Sequence, residues 1–229
     1  MNVFYLPAEQ IFGEVGELPE DEARHAIQVL RYREGDEIRC IDGQGGCYEG
    51  VVSRAAKKQL QLKITAQTTE EPVQHPVTLA MGYIRQKQRL EFAVEKMVEL
   101  GVDHISIFHG DHSEPGKVRN DRMEGVIKAA SKQSGRSRFP SFASFNSLDD
   151  FLSASDSERL IAAHEKVSDE KKQDKFEREQ SLSAVVGPEG GLSDREVDLI
   201  KENQGELISL GERRLRAETA VIALAVLLK

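Results

Sequence analysis

The chain has 229 residues, 39% hydrophobic and 31% charged, with a formal net charge of −8. That length suits one or two domains able to bury a core, and the composition excludes a disordered or collagen-like chain. The longest wholly apolar run, residues 220–228, is nine residues, far short of the roughly 20 that a membrane helix needs. The N-terminus has no basic region followed by an apolar one, so no signal peptide is expected. Cys40 and Cys47 are the only cysteines, too few for a disulfide framework. A cytoplasmic protein with no membrane partner is expected.

Residues 1–70 read as a small β-rich module. Strand character falls at residues 2–6, 37–41, 47–53 and 60–65, and residues 42–46 (Asp-Gly-Gln-Gly-Gly) form a hairpin turn signal. Residues 19–31 suggest one helix with Ala23, Ile27 and Leu30 on one face. The two cysteines flank the hairpin and are expected to pack reduced, as small hydrophobes. A polar stretch with two prolines, residues 67–76, suits a domain boundary.

Beyond it, strands and helices alternate. Residues 77–83 suggest a strand, and Leu90, Val94 and Met97 a helix closed by Gly101. A strand at 104–108 precedes a helix carrying Met123, Val126, Ile127 and Ala130. Ser147 caps a short helix through 154, and 160–163 is a strand. The charged stretch 165–180 reads as a solvated excursion. There follow a strand at 182–187, a helix at 193–203, a strand at 206–210 and a last helix from about Thr219. This alternation predicts a mostly parallel α/β sheet.

The net charge hides its distribution. Residues 113–140 hold seven basic residues (Lys117, Arg119, Arg122, Lys128, Lys132, Arg136 and Arg138) against three acids, a local +4. Arg85, Lys87 and Arg89 form a second cluster. Salt screens charges beyond about 10 Å, so a polyanion responds to such stripes more than to the total. On charge alone, solvated helix faces explain the pattern equally well.

The richest stretch is Val185-Val186-Gly187-Pro188-Glu189-Gly190-Gly191-Leu192-Ser193-Asp194-Arg195-Glu196. A buried-type strand enters a loop whose glycines permit close backbone approach to a ligand. Ser193 with Glu196 forms a capping box for the next helix. Strand–loop–helix crevices of this kind are where α/β sheets bind small ligands. The loop is neither GxGxxG nor GxxxxGK, and its acid suits a neutral or cationic ligand better than a phosphate. The next strand ends at Ser209-Leu210-Gly211, followed by Arg213, Arg214 and Arg216 ahead of an apolar helix that should be buried in the core or against a second subunit. His109, Asp111 and His112 have the wrong setting for a metal site, and no metal is expected.

The sequence GPEGG-LS-x-x-E, then SLG, then LRAETA resembles the SPOUT superfamily of S-adenosylmethionine-dependent RNA methyltransferases, and more closely the bacterial 16S ribosomal RNA uridine-N3 methyltransferase family. The helix end Glu95-Lys96-Met97-Val98-Glu99-Leu100-Gly101-Val102, the segment Lys132-Gln133-Ser134-Gly135-Arg136 with Pro140, and His25-Ala26-Ile27-Gln28-Val29-Leu30-Arg31 with Gly35-Asp36 resemble further motifs of that family. Two departures stand out: Lys132 where many members have glutamate, and Ala217 where threonine is common.

The resemblance implies an α/β fold of two domains. Residues 1–70 would be a small β-barrel PUA-like RNA-binding domain, and 71–229 a SPOUT α/β domain with a C-terminal trefoil knot, assembled as a homodimer. It implies S-adenosyl-L-methionine as cofactor, bound by Ala163, His164, Gly187, Glu189, Gly190, Leu210, Gly211, Leu215 and Arg216. Arg216 and Glu218 are the candidate catalytic residues. Arg24, Arg31, Arg33, Arg119, Arg122, Lys132, Arg136 and Arg138 are candidates for contacting RNA. The expected reaction is methylation of uridine N3 in the decoding region of 16S RNA on the small ribosomal subunit. A SPOUT enzyme with another target such as transfer RNA, or a non-catalytic RNA-binding assembly factor, are the alternatives.

Overall fold

The computed structural model describes residues 2–165, 167 and 179–228. It divides into two compact units. One comprises Met1–Pro72 with Lys128–Phe139, and the other Val73–Ile127 with Pro140–Lys229. The expected charged excursion at 165–180 lies almost wholly outside the described residues.

The first unit is built on β1 (Val3–Tyr5), β2 (Ile11–Phe12), β3 (Val15–Glu17), β4 (Glu37–Ile41), β5 (Gly46–Ala56) and β6 (Gln59–Thr69), in the order β1-β4-β5-β6-β3-β2. Only β1 and β4 pair in parallel; the other pairings are antiparallel. Alternation along β4 and β6 sends Ile38, Cys40, Leu60 and Leu62 into a core with Phe4, Leu6 and Val52. β2 and β3 are too short to leave a periodic signal in the sequence. β6 runs on to Thr69, pairing Gln67 with Tyr48 and Thr68 with Cys47 where a linker was expected. The cysteines do not face each other: Cys40 lies opposite Tyr48 and Cys47 opposite Ile41. Both thiols are buried and reduced, and burial pushes that of Cys40 well above the usual thiol range.

The expected helix over 19–31 is regular only as α1 (Glu20–Arg24). It continues as one π-helical stretch, His25–Val29, and ends with Arg31 at φ 62°. The wider turn rotates the apolar face, so Ala23 and Ala26 are fully buried while Ile27 and Leu30 pack at the margin of the core. The segment Lys128–Phe139 joins this unit through several bonds. Phe139 N–H donates to the Gly43 carbonyl at 2.9 Å, Arg138 Nη2 to the Glu70 carbonyl at 2.7 Å, and Lys132 Nζ to buried Glu22 at 2.6 Å.

The second unit contains β7 (Val77–Gly82), α2 (Lys87–Glu99), β8 (His104–Phe108), the start of α3 (Asn120–Ser134), β9 (Ser141–Phe145), α4 (Leu148–Ala154), β10 (Arg159–Ala163), β11 (Leu182–Val186), α5 (Asp194–Glu202), β12 (Glu206–Ile208) and α6 (Ala217–Leu227). The sheet order is β12-β10-β11-β7-β8-β9, with every pairing parallel. β11 is buried at all five positions, which is why it reads as a continuous apolar run. Ala80, Phe108, Phe151, Ala162, Val185 and Ile200 form a core of this unit. Ser147 caps α4, accepting from Asp150 N–H. Gly101, at φ 77°, follows the end of α2. α6 is only partly covered within the chain: Val221, Leu224 and Ala225 are buried, whereas Val226 is 55% exposed.

Asp42 organises the β4–β5 turn. Its Oδ1 accepts from the N–H groups of Gln44 (2.7 Å) and Gly46 (2.8 Å), and its Oδ2 accepts from the Tyr48 hydroxyl at 3.0 Å. Burial, then the bond to Asp42, pushes the Tyr48 phenol up to about 12. Asp42→Ala should strip partners from buried donors and lower the stability of this unit by about 2–3 kcal/mol, measured by urea denaturation. Because the folded phenol titrates above the usual value of 10.0, its contribution is complete below pH 10 and lost between pH 10 and about 12. Tyr48→Phe should flatten stability across that window.

Candidate functional site

The parallel ladder sets the site. Ala163 at the end of β10 lies opposite Val186 of β11 and Ile208 of β12, so three strands finish level. The loops leaving them converge on a cleft of about 1180 Å³ at the carboxyl end of the sheet, the usual ligand position in such folds. Ala163, His164, Gly187, Glu189, Gly190, Leu210, Gly211, Leu215 and Arg216 all line this cleft. Gln86, Arg89 and His112 line it as well.

Two glycines are required there for different reasons. A Cβ on Gly187 would lie 2.7 Å from the backbone nitrogen of Leu192, so no side chain fits inside the turn. Gly211 sits at φ 115°, a conformation closed to ordinary L residues. The glycine-rich loop is then held in place by α5. Ser193 Oγ accepts from Glu196 N–H (3.1 Å) while Glu196 Oε2 accepts from Ser193 N–H (2.8 Å), the expected capping box. Glu196 is fully buried, and its other oxygen accepts from Asp111 N–H at 3.1 Å. Asp111 in turn takes bonds from Arg195 Nε (3.0 Å) and Nη2 (2.9 Å) and from Ser193 Oγ (2.5 Å). The Arg195 guanidinium, with the Ser193 hydroxyl, pulls its carboxyl down to about 2. His112 Nδ1 donates to the Gly191 carbonyl at 3.2 Å. The segment after β8 is thus clasped to the glycine loop.

Glu218, in the first turn of α6, is buried and does not line the cleft; both its oxygens accept from Arg89. Arg216 is exposed at the N-cap of the same helix. Burial opposes ionisation of Glu218, but the Arg89 guanidinium, together with a backbone hydrogen bond and the charge of Arg216, holds the carboxyl below its ordinary value. Arg89 appears in the sequence only as part of a basic cluster. The usable signal is its position in the first turn after β7, since β7 belongs to the same parallel sheet and its following turn must reach the same end.

The basic residues are less free than the local charge suggests. Arg24 pairs with Glu20, Arg119 with Asp121, Arg122 bidentately with Glu91, and Lys132 with Glu22. Arg136 Nε donates to the Arg138 carbonyl. In the first unit, Arg31 and Arg33 flank Tyr32 along a separate shallow cleft of about 500 Å³. Lys132, which stands where many members of the resembled family have glutamate, has its charge engaged by Glu22.

Residues 69–229 match the RNA methyltransferase domain family and residues 18–65 the RNA methyltransferase PUA domain. Ribosomal RNA small subunit methyltransferase E of Bacillus subtilis is 30% identical over 217 residues, covering 87% of this chain and 84% of that one. A probable rRNA-methyltransferase from Porphyromonas gingivalis superposes with a TM-score of 0.84 at 30% identity, covering 98% of this chain and 95% of that one. Ribosomal RNA small subunit methyltransferase E from Neisseria gonorrhoeae, solved bound to S-adenosyl methionine, superposes with a TM-score of 0.84 at 28% identity and the same coverage. With level strand ends, a glycine-lined cleft and a family match over most of its length, the chain belongs to the RNA methyltransferase family typified by ribosomal RNA small subunit methyltransferase E.

Proposed function

We propose that this protein is an S-adenosylmethionine-dependent methyltransferase that modifies N3 of a uridine in the decoding region of 16S ribosomal RNA, on the small ribosomal subunit. The observation that carries the reading is the convergence of three strand-end loops on one cleft. The names of its relatives support ribosomal RNA as substrate, and the ligand of the Neisseria protein supports the cofactor.

The residues present fit that cofactor. Gly187 permits the tight turn that a side chain would block and lines the cleft, and the cleft volume of about 1180 Å³ is ample for a nucleoside with an amino-acid tail. Gly187, Gly190, Leu210, Gly211 and Leu215 would hold it, with Ala163, His164 and Glu189 lining the pocket. When bound it supplies a methyl group activated on a sulfonium sulfur. The chain's residues must bring the base to within about 3–3.5 Å of that group and exclude water. N3 carries a proton that has to leave, so a cation beside the neighbouring uracil oxygen favours the imide anion. Arg216 suits that role. With both oxygens engaged by Arg89, Glu218 suits an orienting role over a proton relay.

N3 lies on the Watson–Crick edge, so the target base must be unpaired or turned out. Arg24, Arg31, Arg33, Arg119, Arg122, Arg136 and Arg138 are the proposed phosphate contacts, whereas Lys132 is held by buried Glu22; such contacts position RNA without reading its sequence. Their exposed pairs, such as Arg119–Asp121, are weak enough to be exchanged for phosphate. A homodimer is supported by apolar side chains left uncovered on adjacent helices, Phe92 of α2 and Val226 of α6. Family likeness also supports a trefoil knot near the C-terminus, a cytoplasmic location and, through the matches at 18–65 and 69–229, a domain boundary near residue 70, with the segment Lys128–Phe139 grouped in the first unit. No helix among the described residues is long and apolar enough to cross a membrane.

Labelled methyl transfer to purified small subunits, naked 16S RNA and transfer RNA tests the whole reading. Label on the subunit, recovered as 3-methyluridine, is expected. Label confined to transfer RNA, another product nucleoside, or no transfer at all would each refute it. Arg216→Ala should reduce kcat about 100-fold or more while calorimetric affinity for S-adenosylmethionine changes only a few-fold; an unaltered kcat would remove Arg216 from the mechanism. Arg136→Ala should weaken RNA binding and lower the slope of log affinity against log salt by about 1.

A further inference from the structure

Arg89 sits in the first turn of α2 with its side chain only 20% exposed. Its Nε donates to Glu218 Oε1 at 2.8 Å and its Nη2 to Glu218 Oε2 at 2.5 Å, a bidentate pair. Its Nη1 donates to Glu189 Oε1 and reaches Gln86 Oε1 at 3.4 Å. One guanidinium therefore joins the start of α2, the glycine loop and the start of α6, where Arg216 stands two residues before Glu218. Lysine, a point charge without the planar fork, cannot hold both carboxylates in this way.

Charge balance makes the arrangement consequential. The charged groups facing Glu218 are Arg89 from α2, Arg216 from its own helix start and, through Arg89, Glu189 of the loop. Glu218 is 8% exposed, so an unpaired anion there is costly. Without Arg89, Glu218 must either take up a proton or draw Arg216 inward as its new partner, and Glu189 loses its tether. Drawn inward, Arg216 would leave a substrate in the cleft; with Glu218 protonated, Arg216 would lose the neighbouring anion whose charge it faces.

We propose that Arg89 is a positioning residue for methyl transfer: by satisfying both oxygens of Glu218 it keeps Arg216 directed at the substrate base, and by holding Glu189 it fixes the cofactor loop. This rests on Arg216 acting on the base, as proposed above. Arg89 touches neither reacting atom in this scheme and acts through its two acids.

The test compares the full-length wild type with Arg89→Gln, Arg89→Lys, Glu218→Gln and the double variant Arg89→Gln/Glu218→Gln. The readouts are kcat and KM on small subunits, S-adenosylmethionine affinity by calorimetry, and the Glu218 carboxyl titration by NMR. Arg89→Gln should lower kcat at least tenfold, with a smaller rise in KM, and shift the Glu218 titration upward. The acid limb of kcat should move up in pH with it. Arg89→Lys should recover part of the loss. In the double variant the penalties should be less than multiplicative, because a neutral amide at 218 no longer demands a cation. Wild-type kcat in Arg89→Gln, an unmoved Glu218 titration, or multiplicative losses would overturn the proposal. Should Arg89→Gln fail to fold, judged by thermal melting, Arg89→Lys decides by the same titration and kcat. Failure of the wild type itself to transfer methyl would instead refute the functional reading beneath it.

Discussion

Three strands ending level, side by side, are the constraint on which the rest of the molecule depends. Parallel pairing places Ala163, Val186 and Ile208 across from one another, so the chain must leave the sheet three times at one place. Backbone emerging together from a parallel edge has no hydrogen-bond partners within the sheet, and its polar groups must be met by loops, helix starts or a ligand. The glycines at 187 and 211 let the loops stay close to that edge. Buried Glu196 and clasped Asp111 then stop the loop after β11 from moving away.

Acids carry much of the organisation. Glu196 satisfies two backbone N–H groups at once, Asp111 gathers Arg195 and Ser193, and Glu218 and Glu189 share Arg89. The net charge of −8 therefore says little about affinity for a polyanion. The same holds for the local +4 segment, because Arg119, Arg122 and Lys132 are paired with acids near them in space. Exposed pairs of this sort are weak and exchangeable, whereas Lys132 is bound to a buried carboxylate.

Much of the second unit was legible in the sequence because each of its signals is local. Continuous apolar runs mark buried parallel strands, Ser193 and Glu196 mark a helix start, and Gly101 marks a helix end. The residues of the three loops were legible for the same reason, since a strand terminus running into glycine is visible within a few positions. Arg89 was not, because its partners lie 100 and 129 positions away. The first unit was less readable. β2 and β3 are shorter than any periodicity, and the π-helical stretch at His25–Val29 shifts its face without changing composition.

The sequence by itself determined the alternation of strands and helices, the caps, the glycine loops and the absence of any run long enough for a membrane helix, all of which follow from backbone conformation and local burial. Tertiary structure alone decided that the segment Lys128–Phe139 belongs with the N-terminal residues. It also decided that the first turn of α2 meets the start of α6 through Arg89, and that Arg122 and Lys132 of the basic stripe pair with acids distant in sequence. For the meeting of α2 and α6 the physical reason is the order of the sheet. Pairing between distant residues depends on the order in which strands are laid into the sheet, and here β7 lies beside β11 with β10 and β12 beyond it, an order that no local pattern of residues encodes.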